Sequence, residues 1–387
     1  MNIFSRRQML VRAGALGCSV AASPMVTPLA FAKAPWEGRL IVIILRGGMD
    51  GLDVVRPTGD PAFAALRPVL NKGEPGFDLD GYFTLHPALG GLIPLWKKRE
   101  LGFVHAVSTP YRDKRSHFDG QDLLEAGTAS LGDGVRDGWL NRMLQEVPSL
   151  EADTAYAIGT GGLRVLDGPA QVANWAPESH LRLSPQALRL AEMVMERDAP
   201  MHAALAEAET LAQEKDGDAR GGRAHQQIAR FAAKRLSGDA RIAAFSLNGW
   251  DTHRAQGRNL SRSLRKLSET VLTLRGNLGT DVWGKTAVVA MTEFGRTARE
   301  NGTAGTDHGT GGVMVLAGGA INGGRIFGQW PGVAEAALYD RRDLMPTGDV
   351  RVPVAEIMQG ITGVSRTTLE TSVFPGLKMG SDLGVLR

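Results

Sequence analysis

The sequence predicts an α/β protein built on a doubly wound sheet, and three observations predict it. Short apolar runs such as Arg39 to Leu45 and Lys285 to Met291 are continuous rather than alternating, the pattern of strands buried on both faces of a parallel sheet. These runs alternate with longer segments of helical spacing. Their ends are glycine-rich and carry acids and histidines, where open α/β sheets hold ligands.

Each element follows in order. Arg39 to Leu45 is the first strand and ends in Arg46-Gly47-Gly48-Met49-Asp50-Gly51. Leu101 to Val107 is the second. Ser116 has the chemistry of a helix cap, and a helix runs from it through Leu124. Ala155 to Ile158 is a third strand, closed by the Gly159-Thr160-Gly161-Gly162 turn. From about 184 to 236 the spacing becomes helical, broken by Lys215-Asp216-Gly217-Asp218 and Gly221-Gly222, and reads as a two-helix insertion. Arg241 to Leu247 resumes the strands, Arg258 to Leu278 is an amphipathic helix, Lys285 to Met291 and Val313 to Leu316 are buried strands, and Val352 to Ile361 is a final helix.

The first 32 residues read as an export signal. Ser5-Arg6-Arg7-Gln8-Met9-Leu10 carries paired arginines, and Ala30-Phe31-Ala32 ends the small apolar stretch as a cleavage site. Pro24 and Pro28 argue against a membrane span there, so residues 33–387 are expected as one exported domain without a transmembrane segment. Lipidation of Cys18 is an alternative. Cys18 is the only cysteine, so the mature domain has no thiol for disulfides or thiolate metal sites. Arg6, Arg7 and Arg12 account for the formal charge of +3, leaving 41 basic against 41 acidic residues. With aromatics at 6%, neither charge nor stacking surface points to nucleic acid.

Chemistry concentrates in the last third. Asp251 and His253 stand two apart on an extended segment and so share a face. Carboxylate with neutral imidazole is a donor set for a divalent metal. Glu293-Phe294-Gly295-Arg296 and Asp307-His308-Gly309 form two further clusters, and Asp50 can join them from the first strand end. Taken singly, each also fits a turn or cap. Ser116 serves as cap or, beside a metal, as nucleophile. His117 is open between ligand, acid and surface residue. Gly309-Thr310-Gly311-Gly312 has Met314 where a dinucleotide fingerprint needs its third glycine, and neither a phosphate loop nor a G-x-S-x-G elbow occurs.

Arg46 to Gly51, Ser116-His117-Phe118-Asp119, Gly138-Trp139-Leu140, Asp251-Thr252-His253, Glu293 to Thr297 and Gly305 to Gly309 together resemble the exported bacterial family known as domain of unknown function 1501. The resemblance implies the alkaline phosphatase and sulfatase superfamily. It therefore implies a three-layer α/β/α fold with a mostly parallel sheet and one or two divalent metals, zinc, manganese, magnesium or calcium. Carried onto this chain, Asp50, Asp251, His253, Glu293, Asp307 and His308 become metal ligands, with Ser116 and His117 as catalytic residues. Arg46, Arg115 and Arg296 would grip the oxygens of an anionic ester. Lack of cysteine excludes a formylglycine sulfatase. The expectation is a periplasmic metal-dependent hydrolase of phosphate or sulfate esters. Its substrate would be an anionic small molecule or cell-surface polymer. The alternative is a non-catalytic exported protein that binds such a polymer or a partner protein.

Overall fold

The computed structural model describes residues 34–112, 115–132, 134–147, 150–159, 162–176 and 223–387. The signal, Cys18 and most of the expected insertion, with His180 and His202, lie outside the described residues.

Nine strands form the main sheet among the described residues. They are β1 (Arg39–Arg46), β2 (Leu101–Ser108), β3 (Ala155–Ile158), β4 (Ala173–Trp175), β5 (Ile242–Asn248), β6 (Thr286–Met291), β7 (Gly312–Ala317), β8 (Ile326–Phe327) and β9 (Gly348–Asp349). Their spatial order is β8-β2-β7-β6-β1-β5-β3-β4, with β9 also on β2. β1 is central. It pairs in parallel with β5 from Leu40↔Ile242 to Arg46↔Asn248, and with β6 from Arg39↔Thr286 to Ile44↔Met291. β7 alone runs against its neighbours, antiparallel to both β2 and β6.

The Asp307-His308 cluster precedes the strand read at Val313 to Leu316, now β7, and so lies at a strand's amino end, not at a carboxyl end like the other clusters. Because β7 points the other way, its start lies on the same edge as the ends of β1, β5 and β6. One reversed strand thus brings the last cluster to the others.

Alternate residues of β1 face opposite layers, as a pleated strand requires. Ile41, Ile43 and Leu45 pack with α3 (Ala224–Leu236) and α4 (Gln256–Gly284). Leu40, Val42 and Ile44 pack with α2 (Trp139–Gln145) and α5 (Arg351–Thr362), and α1 (His117–Ala126) adds Leu124. All six β1 side chains are fully buried, each contributing roughly 1.5–3 kcal/mol of apolar burial. The result is a three-layer α/β/α architecture with a mostly parallel sheet. α3, placed by sequence in the insertion, packs on the sheet as a layer helix. Among the described residues no helix is long and apolar enough to cross a membrane.

Candidate metal centre

The loops after β1 and β5 lie against each other. Gly47 has φ +127°, and a Cβ there would meet the Asp251 nitrogen at 2.6 Å, so only glycine fits. The following Trp250 is fully buried and donates Nε1–H to the Leu247 carbonyl. This anchor turns Asp251 outward, its side chain 47% exposed. Oδ1 of Asp251 accepts from Arg296 Nη2 at 2.6 Å and lies 3.1 Å from His253 Nε2 and 3.3 Å from His308 Nε2. Its Oδ2 is 3.6 Å from His117 Nε2. Ligand atoms of His117, Asp251 and His308 all fall within 4.8 Å of one another.

The three imidazoles share one arrangement. His117 Nδ1 donates to Glu293 Oε1 at 2.8 Å, His253 Nδ1 to Asp307 Oδ1 at 3.0 Å, and His308 Nδ1 to the Arg115 carbonyl at 2.9 Å. An imidazole whose Nδ1–H is so held presents an unprotonated Nε2, the tautomer a metal takes. All three Nε2 atoms turn toward Asp251. His117 Nε2 is buried and has no hydrogen-bond partner, a costly state for a polar atom unless a further group completes it. A divalent cation fits these donors.

Charge is arranged to match. Burial pushes the Asp251 carboxyl up, but the hydrogen bond and charge of Arg296, with His253, outweigh it and hold it below the ordinary range. Burial likewise raises Glu293, and the hydrogen bonds from His117, Thr292 and Gln121 reverse the shift. Asp307 is lowered against its burial by Asn301 and His253. Burial and the nearby Arg296 lower His308, favouring neutral imidazole. His117 runs the other way: the bond to Glu293 raises it and favours the protonated ring, so an ion there competes with a proton.

Several residues expected as ligands or anion grips have other partners. Asp50 is buried and bound bidentately by Arg67 at 2.7 and 3.0 Å, with Gln256 donating at 2.6 Å. Its oxygens are therefore spent away from the imidazoles. Glu293 and Asp307 face the Nδ1 edges of His117 and His253, which makes them orienting groups in this geometry. Arg296 is buried and donates to the carbonyls of Gly47, Gly48, Trp250 and Thr306, so it ties loops together and is closed to a ligand. Arg46 is committed to Glu125 at 2.7 Å and to Gln121. Ser116 Oγ accepts from Asp119 N–H at 3.4 Å as the α1 cap, one residue before His117. Arg115 keeps a side chain 34% exposed, 3.5 Å from Asp343. His86 and His105, both buried, are pulled down to about 4 by desolvation and stand apart from the cluster. His225 pairs with Glu269.

Sequence reading missed Gln121, Gln256, Arg67 and Arg342. Gln121 lies four residues after His117 and bonds the same Glu293 oxygen at 3.2 Å; its i, i+4 spacing was a usable signal. Arg342, half-exposed, donates to the His308 carbonyl. Gln256 accepts hydroxyl protons from Thr252 and Thr306, riveting the two histidine loops together.

The model of a family described as "Protein of unknown function (DUF1501)" matches residues 105–352. The chain belongs to that family. The matched span includes His117, Asp251, His253 and His308, whereas Arg46 to Gly51 precedes it. No curated protein matches the sequence. Among solved structures, a protein of the alkaline phosphatase superfamily from Vibrio parahaemolyticus is 11% identical, with TM-score 0.36 over 82% of this chain and 69% of that one. The lipoteichoic acid synthase LtaP from Listeria monocytogenes is 8% identical, with TM-score 0.39 over 89% and 77%. The PsFucS1 sulfatase from Pseudoalteromonas sp. is 13% identical, with TM-score 0.40 over 100% and 78%.

Proposed function

We propose that this DUF1501 chain is an exported, metal-dependent hydrolase of phosphate or sulfate esters. The carrying observation is the set of three imidazoles, each with Nδ1 held by an acceptor and Nε2 turned toward Asp251. His117, Asp251, His253 and His308 would hold the ion. Imidazole-rich donor sets suit zinc better than manganese, magnesium or calcium. Such an ion supplies Lewis acidity to an ester oxygen and to an attacking hydroxyl.

The chain's own groups do the rest. Arg296 keeps Asp251 anionic, while Glu293, Asp307 and the Arg115 carbonyl fix the ring orientations. Arg115 and Arg342 are the half-exposed guanidiniums beside the cluster; Arg342 is paired with Asp343 at 2.7 Å, and Arg115, 3.5 Å from the same carboxylate, is the better suited to an oxyanion. Ser116, adjacent to His117, is the candidate nucleophile. One observation favours the alternative of a non-catalytic binding protein: the Ser116 hydroxyl already caps α1, and Arg46 and Arg296 are committed internally.

Elemental analysis after reconstitution with zinc, manganese, magnesium or calcium tests the centre, with about one ion per chain expected. Hydrolysis of an aryl phosphate and an aryl sulfate tests the chemistry. His308→Ala should lose both ion and turnover; Ser116→Ala should lose turnover alone if Ser116 attacks. Wild-type protein holding metal but cleaving neither ester would favour the binding protein. Export is tested by Arg6→Lys with Arg7→Lys, which should keep the protein out of the periplasm.

A further inference from the structure

Gln256 opens α4 and is fully buried, as are Thr252 and Thr306. Its side-chain amide has every hydrogen-bonding position filled. Nε2 donates to Asp50 Oδ2 at 2.6 Å and to Asp53 Oδ2 at 3.0 Å. Oε1 accepts from Thr252 Oγ1 at 3.0 Å and from Thr306 Oγ1 at 2.6 Å. An amide offers two donors and an oxygen with two lone pairs, so four side chains saturate this one. Ionised carboxylates only accept, which fixes the end of the amide that faces Asp50 and Asp53. The oxygen is thereby held toward the two hydroxyls.

The four partners come from three segments. Asp50 and Asp53 lie behind β1, Thr252 in the loop after β5 and Thr306 in the loop before β7. Thr252 stands between Asp251 and His253, and Thr306 is two residues before His308. Every donor assigned to the ion except His117 is thus within two residues of a hydroxyl that Gln256 holds. The two loops also meet backbone to backbone. Thr306 N–H donates to the Thr252 carbonyl at 3.3 Å, and a Cβ on Gly305 would meet the His253 carbonyl carbon at 2.3 Å.

We propose that Gln256 is a positioning residue: its Oε1 sets the gap between the Asp251-His253 loop and the His308 loop, and through that gap the geometry of the metal centre. The link to an ion rests on the function proposed above; the gap between the loops does not. Among the described residues Gln256 bonds none of the donor side chains, so it acts through the two threonines. A buried polar network holds one geometry only while it is fully satisfied.

The test compares Gln256→Met with Leu274→Ala in the full-length protein. Leu274 is fully buried in the same helix, about 27 Å further along it. Its truncation lowers stability without touching the loops. Zinc affinity is measured by competition with a chromophoric chelator, and cobalt in place of zinc reports donor geometry through its visible absorption. Gln256→Met should bind zinc at least about tenfold more weakly and shift the cobalt band. Leu274→Ala should match wild type in both. The double variant Thr252→Val, Thr306→Val removes only the hydroxyls and should reproduce the loss, which adding Gln256→Met should not deepen. That double variant carries the test if Gln256→Met does not fold. In chelator, amide hydrogen exchange at residues 250–256 and 303–309 should quicken in Gln256→Met and in the double variant, and stay as in wild type in Leu274→Ala. Wild type taking up neither ion would sink the metal reading alone, and the exchange result would then decide the loop claim. Unchanged affinity, spectrum and exchange in Gln256→Met, or equal losses in Leu274→Ala, would overturn the proposal.

Discussion

His253 and His308 face each other through Nε2 atoms 3.0 Å apart, each with its Nδ1 proton already given to another acceptor. Two lone pairs at that distance repel unless a proton or a cation lies between them. A divalent ion should therefore stabilise the fold, by about 2.7 kcal/mol at a free concentration of about 100 Kd. Zinc should raise the denaturant midpoint, chelator should reverse the gain, and His308→Ala should abolish it. An unmoved wild-type midpoint with all four candidate cations would remove the centre.

Orienting acids and ligands should separate by affinity. Glu293→Gln and Asp307→Asn keep side-chain shape and should weaken metal binding by about 10–100-fold. Asp251→Ala and His253→Ala should cost more. Calorimetric titration distinguishes them, and unchanged affinity in Asp307→Asn would show that His253 needs no such support.

Arg67 and Asp50 are both buried and pair bidentately. Removing one partner strands the other charge, so Arg67→Met and Asp50→Asn should each destabilise by about 3–5 kcal/mol. Metal content of the folded fraction should stay the same. If Asp50→Asn instead lost the ion at undiminished stability, Asp50 would return as a ligand.

Glu356 offers a pH test far from the centre. Burial pushes its carboxyl up to about 7, with Asp382 adding to the shift, while its Oε1 accepts from Leu383 N–H. The folded value lies above the ordinary 4.5. Its contribution is therefore fully present below about 4.5 and is lost as pH rises through about 7. Glu356→Gln has no such loss, so its melting temperature relative to wild type should rise between about pH 5 and about pH 8. A constant difference across that range would contradict the assignment.

The long elements were legible because β1, β2, β5, β6 and β7 are continuous apolar runs with turn residues behind them. β4, β8 and β9 span only two or three residues and have no period to read. Strand direction is also silent in a hydrophobic pattern, which is why the reversal of β7 was not foreseen. At the site, Asp251, His253 and His308 were marked by residue type and spacing. Glu293 and Asp307 have the same donor chemistry as ligands, and only the ring edge they face separates the roles. Arg67 and Gln256 reach partners on other loops, such as Asp50 and Thr306, and no local pattern announces such a bond.

The reversed strand has a consequence for how this protein can vary. Residues 292–311 leave β6 and enter β7 on one edge of the sheet, so Glu293, Arg296, Asp307 and His308 travel on a single closed loop. That loop is not independent of its surroundings: Arg296 fastens it to the carbonyls of Gly47, Gly48 and Trp250 and Arg67 holds the carbonyls of Thr297 and Ala298, so a change of its length or path has to be matched in the turns after β1 and β5.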